Sequence, residues 1–241
     1  MPSVLELVRD KALESWTAEG ILGESVQVVA APLTTEQAIG RPGYGDFPIQ
    51  KGKERLMEAR FRNARGQAFT DHFDHYAGTL GEVAALPLDS NFSRAVFVAT
   101  LNAVLRSAGQ TSNTIHCRDA GPGECAAGLS GFIAKRFGSP RVGLVGFQPA
   151  MIGALSVAVE LRVLDLDPDN VGQVRRGALV EGPDKAAEVL AWADVFLVTG
   201  TTFANGSISS FLLDKPVVFY GTTIAGAATL MGWERYCPRS E

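Results

Sequence analysis

The chain has 241 residues, 46% hydrophobic and 20% charged, with a formal net charge of −4, the balance of an ordinary globular protein with material for one large or two modest cores. That slight acidity, with no Lys/Arg run, gives no field for nucleic acid, and no apolar stretch approaches the ~20 residues that span a bilayer. The N-terminus Met1–Glu19 mixes Glu6, Arg9, Asp10, Lys11 and Glu14 with apolar positions, unlike a signal peptide, and three cysteines, odd and sparse, argue for a reducing cytoplasm rather than a disulfide framework.

Val4, Leu5, Leu7, Val8, Ala12, Leu13 and Trp16 fall on one side of a predicted helix closed by Gly20. Ser25–Ala31 reads as a strand, with Val26, Val28 and Ala30 on one face. From Thr34 to Lys53 the glycines and prolines (Gly40, Pro42, Gly43, Gly45, Pro48) predict an irregular loop, long enough to be mobile or functional. Arg55–Ala64 fits either a strand or a short helix. Gly66–Asp71 reads as a turn glycine followed by small and polar residues, and Gly78–Leu88 as a loop with a short apolar piece. Asp71-His72-Phe73-Asp74-His75 has the look of a solvated acidic–histidine patch. Ser93–Arg106 is a strong helix, apolar almost all round, which suits a connector buried between two domains. Its polar exception is Asn102, which either fixes helix packing through hydrogen bonds or faces a cleft.

The second half alternates. Ala126–Phe137 is a helix ending at Gly138. Val142–Val145 is a strand, Gly146–Pro149 a turn and Ala150–Val157 a helix. Leu161–Leu164 is the next strand, Gly177–Val180 a further one, and Pro183–Trp192 a helix. Val195–Val198 is an apolar run without alternation, as for a strand buried on both faces. It breaks at Gly200-Thr201-Thr202, after which Asn205 or Ser207 caps a helix carrying Ile208, Phe211 and Leu212, with Lys215 at its C-terminus and Pro216 as the stop. The pattern then repeats: strand Val217–Tyr220, Gly221-Thr222-Thr223, and an Ala-rich helix ending near Gly232. Alternation at this spacing predicts a doubly wound parallel sheet with right-handed crossovers. Two parallel neighbours would set both Gly-Thr-Thr turns at the carboxyl edge, where open α/β sheets bind ligands.

Three constellations carry candidate chemistry. The paired turns offer Gly200, Thr201, Thr202, Asn205, Thr222 and Thr223 to an anionic or polar ligand edge. The turn at Gly146 lacks the Gly-x-Gly-x-x-Gly pattern, and Pro149 removes a donor. Asp165, about 20 residues on, stands where a ribose would be held in a dinucleotide site, or else caps its own loop. His116, Cys117 and Cys125, with Cys237 near the end of the chain, bring soft ligands suited to a transition metal or an iron–sulfur centre. Alternatively, each cysteine packs as a small apolar residue. No Gly-x-Ser-x-Gly, Walker loop or nucleophile–base pair is present.

Taken together, Lys51-Gly-Lys-Glu-Arg55, Gly66-Gln-Ala-Phe-Thr-Asp71, Arg94 with Leu101-Asn-Ala103, Thr114-x-His-Cys117 with Cys125, Thr199-Gly-Thr-Thr-x-x-Asn-Gly206 and Phe219-Tyr-Gly-x-Thr-Ile-Ala-Gly226 resemble a prokaryotic family described as a heavy-metal chelation domain. The resemblance implies a Rossmann-like domain (residues 91–241, with the helix 93–106 as connector) preceded by an enolase N-terminal-like α+β domain (residues 1–90). It places a ligand cleft between them, near Thr201, Thr202, Asn205, Asn102 and Phe69–Asp71, and strengthens His116, Cys117, Cys125 and Cys237 as a metal site. The expected ligand is a metal ion or a metal-containing or anionic small molecule. The alternative is an enzyme using a nucleotide-like or S-adenosylmethionine-like cofactor.

Overall fold

The computed structural model describes residues 3–29, 35–41, 45–52, 54–212 and 214–241. Helix α1 (Val4–Ala18) opens on a capping box: Ser3 Oγ accepts from the Glu6 N–H, and the Glu6 carboxylate accepts from the Ser3 N–H. Its buried stripe is Leu5, Val8, Ala12 and Trp16, whereas Leu7 and Leu13 are exposed. The core-facing stripe is thus narrower than the sequence suggested.

Strand β1 (Ser25–Val29) follows; Ala30, Ala31 and Thr34, drawn into the expected strand and loop, lie outside the described residues, as do Pro42, Gly43 and Lys53. The segment read as irregular contains a short helix, α2 (Thr35–Ile39), and a 3-10 turn at Pro48–Lys51. Ile39, Phe47 and Ile49 bury one another with Leu56, so a small apolar cluster overrides the glycine and proline count. Arg55–Phe61 is a strand, β2, and the supposed turn at Gly66 lies inside the next, β3 (Ala64–Thr70). Strand β4 (Tyr76–Thr79) and helix α3 (Leu80–Ala85) replace the loop expected at 78–88, with Thr79 and Glu82 forming a second capping box. The four strands make an antiparallel sheet in the order β3-β2-β1-β4. His72 and His75 sit exposed beyond β3.

Helix α4 (Asn91–Ser107) is buried without a break from Ala95 to Leu105. The chain then continues through α5 (Gly121–Phe137), β5 (Val142–Val145), α6 (Pro149–Leu155), β6 (Leu161–Leu164), β7 (Val174–Arg175), β8 (Ala178–Glu181), α7 (Ala186–Trp192), β9 (Val195–Thr199), α8 (Thr201–Ala204), β10 (Val217–Tyr220), α9 (Ala225–Met231) and β11 (Arg235–Tyr236). These strands form one sheet in the order β11-β10-β9-β5-β6-β8-β7, parallel throughout except for β7 against β8. One face of α4 packs on β2 and β3, and the other meets α8 and α9. It is therefore the layer shared by the two sheets. The close approach needs Gly66: a Cβ there would lie 2.2 Å from Ala103 N and 2.4 Å from Ala99 O.

Two local expectations around β9 and β10 are corrected. The helix after β9 begins at Thr201 and ends with Asn205 as its C-cap; a 3-10 turn, Ile208–Phe211, follows. Asn205 Oδ1 accepts from both Ser207 N and Ser207 Oγ, and this side-chain turn competes with helix continuation. Arg94 Nε takes the freed Ala204 carbonyl at 2.9 Å. Ile208 is buried, Leu212 is exposed, and Leu213 lies outside the described residues. Lys215 serves a different helix from the one expected. Its ammonium donates to the carbonyls of Leu190, Ala191 and Ala193 at the C-terminal end of α7, where the helix dipole favours a cation.

Candidate functional site

From β5 the chain crosses through α6 to β6 on one side, and from β9 through α8 to β10 on the other. The strand order therefore reverses between β5 and β9, and such a switch point leaves a crevice outside the carboxyl ends of the strands. A cavity of about 630 Å³ opens there. Its wall includes Val145–Gln148 after β5, Leu164–Pro168 after β6, Thr199–Thr202 after β9, and Tyr220, Gly221 and Thr223 after β10. The other wall comes from Phe47–Ile49, Glu54 and Phe69–Asp71 beside the small sheet, with His116, Cys117, Cys125, Tyr236 and Cys237 at a further side.

Both Gly-Thr-Thr turns thus face one space, as parallel pairing of β9 with β10 requires. Much of their polarity is spent locally. Thr202 Oγ1 donates to Thr199 O, Thr199 Oγ1 donates to Thr201 Oγ1, and Thr223 Oγ1 accepts from Phe69 N across the interface between the sheets. Thr222 is fully buried, and among the described residues its hydroxyl has no hydrogen-bond partner; it does not line the cavity. Gly146 has a left-handed φ of 97°, and a Cβ there would lie 2.8 Å from Thr199 Cγ2 and 2.9 Å from Tyr220 Oη. Asp165 lines the cavity but braces its own corner, accepting from Phe147 N at 2.8 Å, Asp167 N at 2.9 Å and Asn170 Nδ2 at 3.3 Å. The loop-capping reading of this acid therefore describes its contacts.

Asn102 does not reach the cavity. Its Nδ2 donates to the carbonyls of Gln67, Thr222 and Thr223, and its Oδ1 accepts from Gly226 N. The cleft reading gives way to the packing one: the amide ties β3 to the second Gly-Thr-Thr turn and to α9.

His116, Cys117, Cys125 and Cys237 share the cavity wall although they come from three segments. The His116 N–H donates to Gln67 Oε1, and Gln67 Nε2 donates to buried Glu58. The tail returns as a strap: Ile115 and Glu241 exchange both backbone hydrogen bonds, and Asn113 Nδ2 donates to Cys237 O at 2.7 Å. Since a carbonyl can only accept, the 2.6 Å contact between His116 Nδ1 and Cys117 O places the proton on Nδ1 and leaves Nε2 with its lone pair. Burial holds this imidazole down to about 4, partly opposed by that carbonyl, so it is neutral at physiological pH. Burial, with repulsion from neighbouring thiols, pushes Cys117 and Cys125 up to about 12, so both are protonated thiols. Among the described residues no three His, Cys, Asp or Glu groups stand close enough to hold one ion. The preformed four-ligand cluster anticipated from the sequence is therefore not present in this arrangement.

Glu54, which sequence reasoning passed over except as a letter in the Lys51–Arg55 motif, faces the cavity. Burial first, then repulsion from Asp165, Asp71 and Asp167, pushes its carboxyl from 4.5 up to about 7. Between those values the folded protein keeps a proton that the unfolded chain has released, so stability falls as pH rises through that window. His116 acts with the opposite sign: below 6.5 the unfolded imidazole gains a proton that the folded one refuses until about 4, so stability falls as pH drops. Glu54→Gln is expected to raise the Tm by a few degrees at pH 8 and to leave it unchanged at pH 4. Circular dichroism melts at the two pH values check this; an equal shift at both would contradict the assignment.

The fold is a mixed α/β one in which a seven-stranded, mostly parallel sheet carries a crevice roofed by a smaller antiparallel sheet. Residues 132–226 match the DUF364 family, whose description reads "Putative heavy-metal chelation", in line with the resemblance carried by the sequence motifs. A crystal structure of a DUF364 protein of unknown function from Pyrococcus horikoshii is similar at TM-score 0.54 and 14% identity, covering 91% of this chain and 79% of that one. Another of unknown function, from Desulfitobacterium hafniense, aligns at TM-score 0.48 and 16% identity over 73% of this chain and 72% of that one. No curated protein matches. Among the described residues no helix is long and apolar enough to cross a membrane.

Proposed function

We propose that the cavity binds a metal ion, or a small molecule carrying one, in the cytoplasm. On this reading residues 1–90 form an enolase N-terminal-like domain, residues 91–241 form the Rossmann-like one, and the ligand sits between them. The observation that carries the reading is that every cysteine of the chain, and the one histidine held neutral with a free Nε2, line the same crevice. Thiolate and imidazole are soft donors for zinc, copper, nickel or an iron–sulfur centre, and a ring N–H donated to a carbonyl is the usual support for a ligating histidine. Because the donors are not gathered beforehand, the metal either draws the tail and Cys237 inward or arrives with ligands of its own. The hydroxyls of Thr201 and Thr223 and the backbone at Gly200 and Gly221 then supply the polar contacts.

Thiols held near 12 must lose protons to bind, so affinity rises steeply with pH and binding releases protons. Protein purified without oxygen is expected to carry stoichiometric metal, lost when Cys117→Ser is combined with Cys125→Ser. Equal metal content in variant and wild type removes the reading. The alternative is a nucleotide-like or S-adenosylmethionine-like cofactor at Gly146 and Asp165, favoured only by the switch-point position of the cavity. A thermal-shift response to such compounds, without a metal response, would select it.

A further inference from the structure

Part of the wall opposite the large sheet is one short stretch. Residues 45–52 carry Phe47, Pro48 and Ile49 into the cavity. Phe47 and Ile49 pack with Ala38, Ile39 and Leu56 in a cluster separate from the two larger cores. A satellite cluster of this kind under a loop can open while the rest of the fold stays closed. Two side chains of the stretch cross to the large sheet. Asp46 accepts from Arg176 Nε at 3.1 Å and from Arg176 Nη2 at 2.8 Å, a bidentate pair whose side chains are 27% and 35% exposed. Lys51 Nζ stands 5.9 Å over the ring of Phe147, itself a residue of the cavity wall.

Arg176 is placed for this contact against its local preference. With Gly177 it makes the two-residue turn between β7 and β8, and both residues have positive φ, 51° and 88°. Glycine suits the second position, but an arginine occupies the first, where asparagine, aspartate or glycine is usual. Ser156 Oγ, just after α6, donates to the Arg176 carbonyl at 2.8 Å and pins the turn. A long side chain kept in a sparsely populated backbone region points to a role for that side chain. Here the guanidinium reaches the carboxylate that precedes Phe47.

We infer that residues 45–52 are the lid of the cavity, and that Arg176, at the tip of the β7–β8 hairpin, is the latch that holds it shut through Asp46. This rests on the crevice being the binding site, and it concerns how a ligand enters rather than what the ligand is. Parting the pair frees this end of the lid from the large sheet, and Phe47 and Ile49 swing out of the wall with it. Such an opening uncovers few apolar side chains, so a modest weakening of the latch changes how often the cavity is open.

Two readouts on the full chain follow the opening. Hydrogen exchange reports the lid itself through the amides of Gln50 and Gly52, which donate to Phe47 O and Ile49 O. N-ethylmaleimide labelling of Cys125, buried in the cavity wall, reports access; it is run with and without a prior chelator, so that bound metal does not hide the thiol. Asp46→Asn and Arg176→Gln are each expected to raise both rates about five- to tenfold, and the double variant no further than either single one, while the amides of α4 keep their protection. In the wild type both rates should rise between low salt and about 0.5 M sodium chloride, and in Asp46→Asn they should not. Unchanged rates in both variants, or acceleration spread evenly over the lid and α4, overturns the inference. If a variant does not fold, the wild-type salt series decides it in the same way. Metal content of the same samples separates the two ideas: a full metal load with unmoved rates sinks only the latch, and a metal-free wild type whose lid responds as expected sinks only the chelation reading.

Discussion

Asn102→Leu is expected to cost about 3–5 kcal/mol of stability, read as a fall in the midpoint of urea unfolding without a change in slope. The side chain is wholly buried in α4. It donates to the carbonyls of Gln67, Thr222 and Thr223, the second of which also accepts from Ala225 N, and it receives the Gly226 N–H at 2.6 Å. Leucine has the same branched shape in a larger volume, removes all three donated bonds and leaves the buried Gly226 N–H without its acceptor, each lost partner costing about 1–3 kcal/mol. Asn102→Asp should be worse at neutral pH, because a carboxylate oxygen would stand where the amide donates to three carbonyls. Its deficit should shrink as the acid is protonated, since a folded-state pKa raised above the unfolded value adds stability only at low pH. A loss below about 1 kcal/mol for Asn102→Leu would show that the two sheets are not tied through this amide.

Gly66→Val is expected to destabilise by about 3 kcal/mol or more, and Gly66→Ala by somewhat less in the same direction. The obstacle is backbone: the added Cβ would lie within 2.4 Å of Ala99 O and Ala103 N, and no rotamer change relieves it. Helix α4 would have to lift from β3, carrying with it the Asn102 bonds and the neighbouring Gln67, whose Oε1 holds the His116 N–H at 2.8 Å. The same variant should therefore make Cys117 react faster with a thiol reagent. Unfolding midpoints and thiol kinetics test both parts. An unchanged Cys117 rate in a destabilised Gly66→Ala protein would uncouple the helix packing from the thiol wall.

The parts of this architecture legible in the chain are those written in short-range patterns. Val195–Val198 and Val217–Tyr220 are unbroken apolar runs because the sheet is covered on both faces, and the Gly-Thr-Thr turns follow because each strand must hand over to a helix at once. The burial of α4 was visible in its apolar circumference. Where local signals misled, a distant partner had intervened. Gly66 looks like a turn residue, yet its missing side chain makes room for a helix over 30 residues later. Lys215 looks like the cap of the turn before it, yet it reaches back to α7. The helix expected after Asn205 is broken by that asparagine's own bonds and by Arg94.

Residue order alone determined the doubly wound sheet, the shared edge of the two hydroxyl-bearing turns and the buried connector, because hydrophobic period and turn chemistry act over a few residues. Only the tertiary structure decided that Asn102 is a tie rather than a ligand contact, that Asp165 braces its loop, and that the sulfurs line one wall without forming a cage. Only it brought Glu54 from beside the small sheet to face Asp165 and Asp167. Those outcomes depend on which groups meet across the crevice and on what burial does to their charge, and neither is encoded within reach of any one segment.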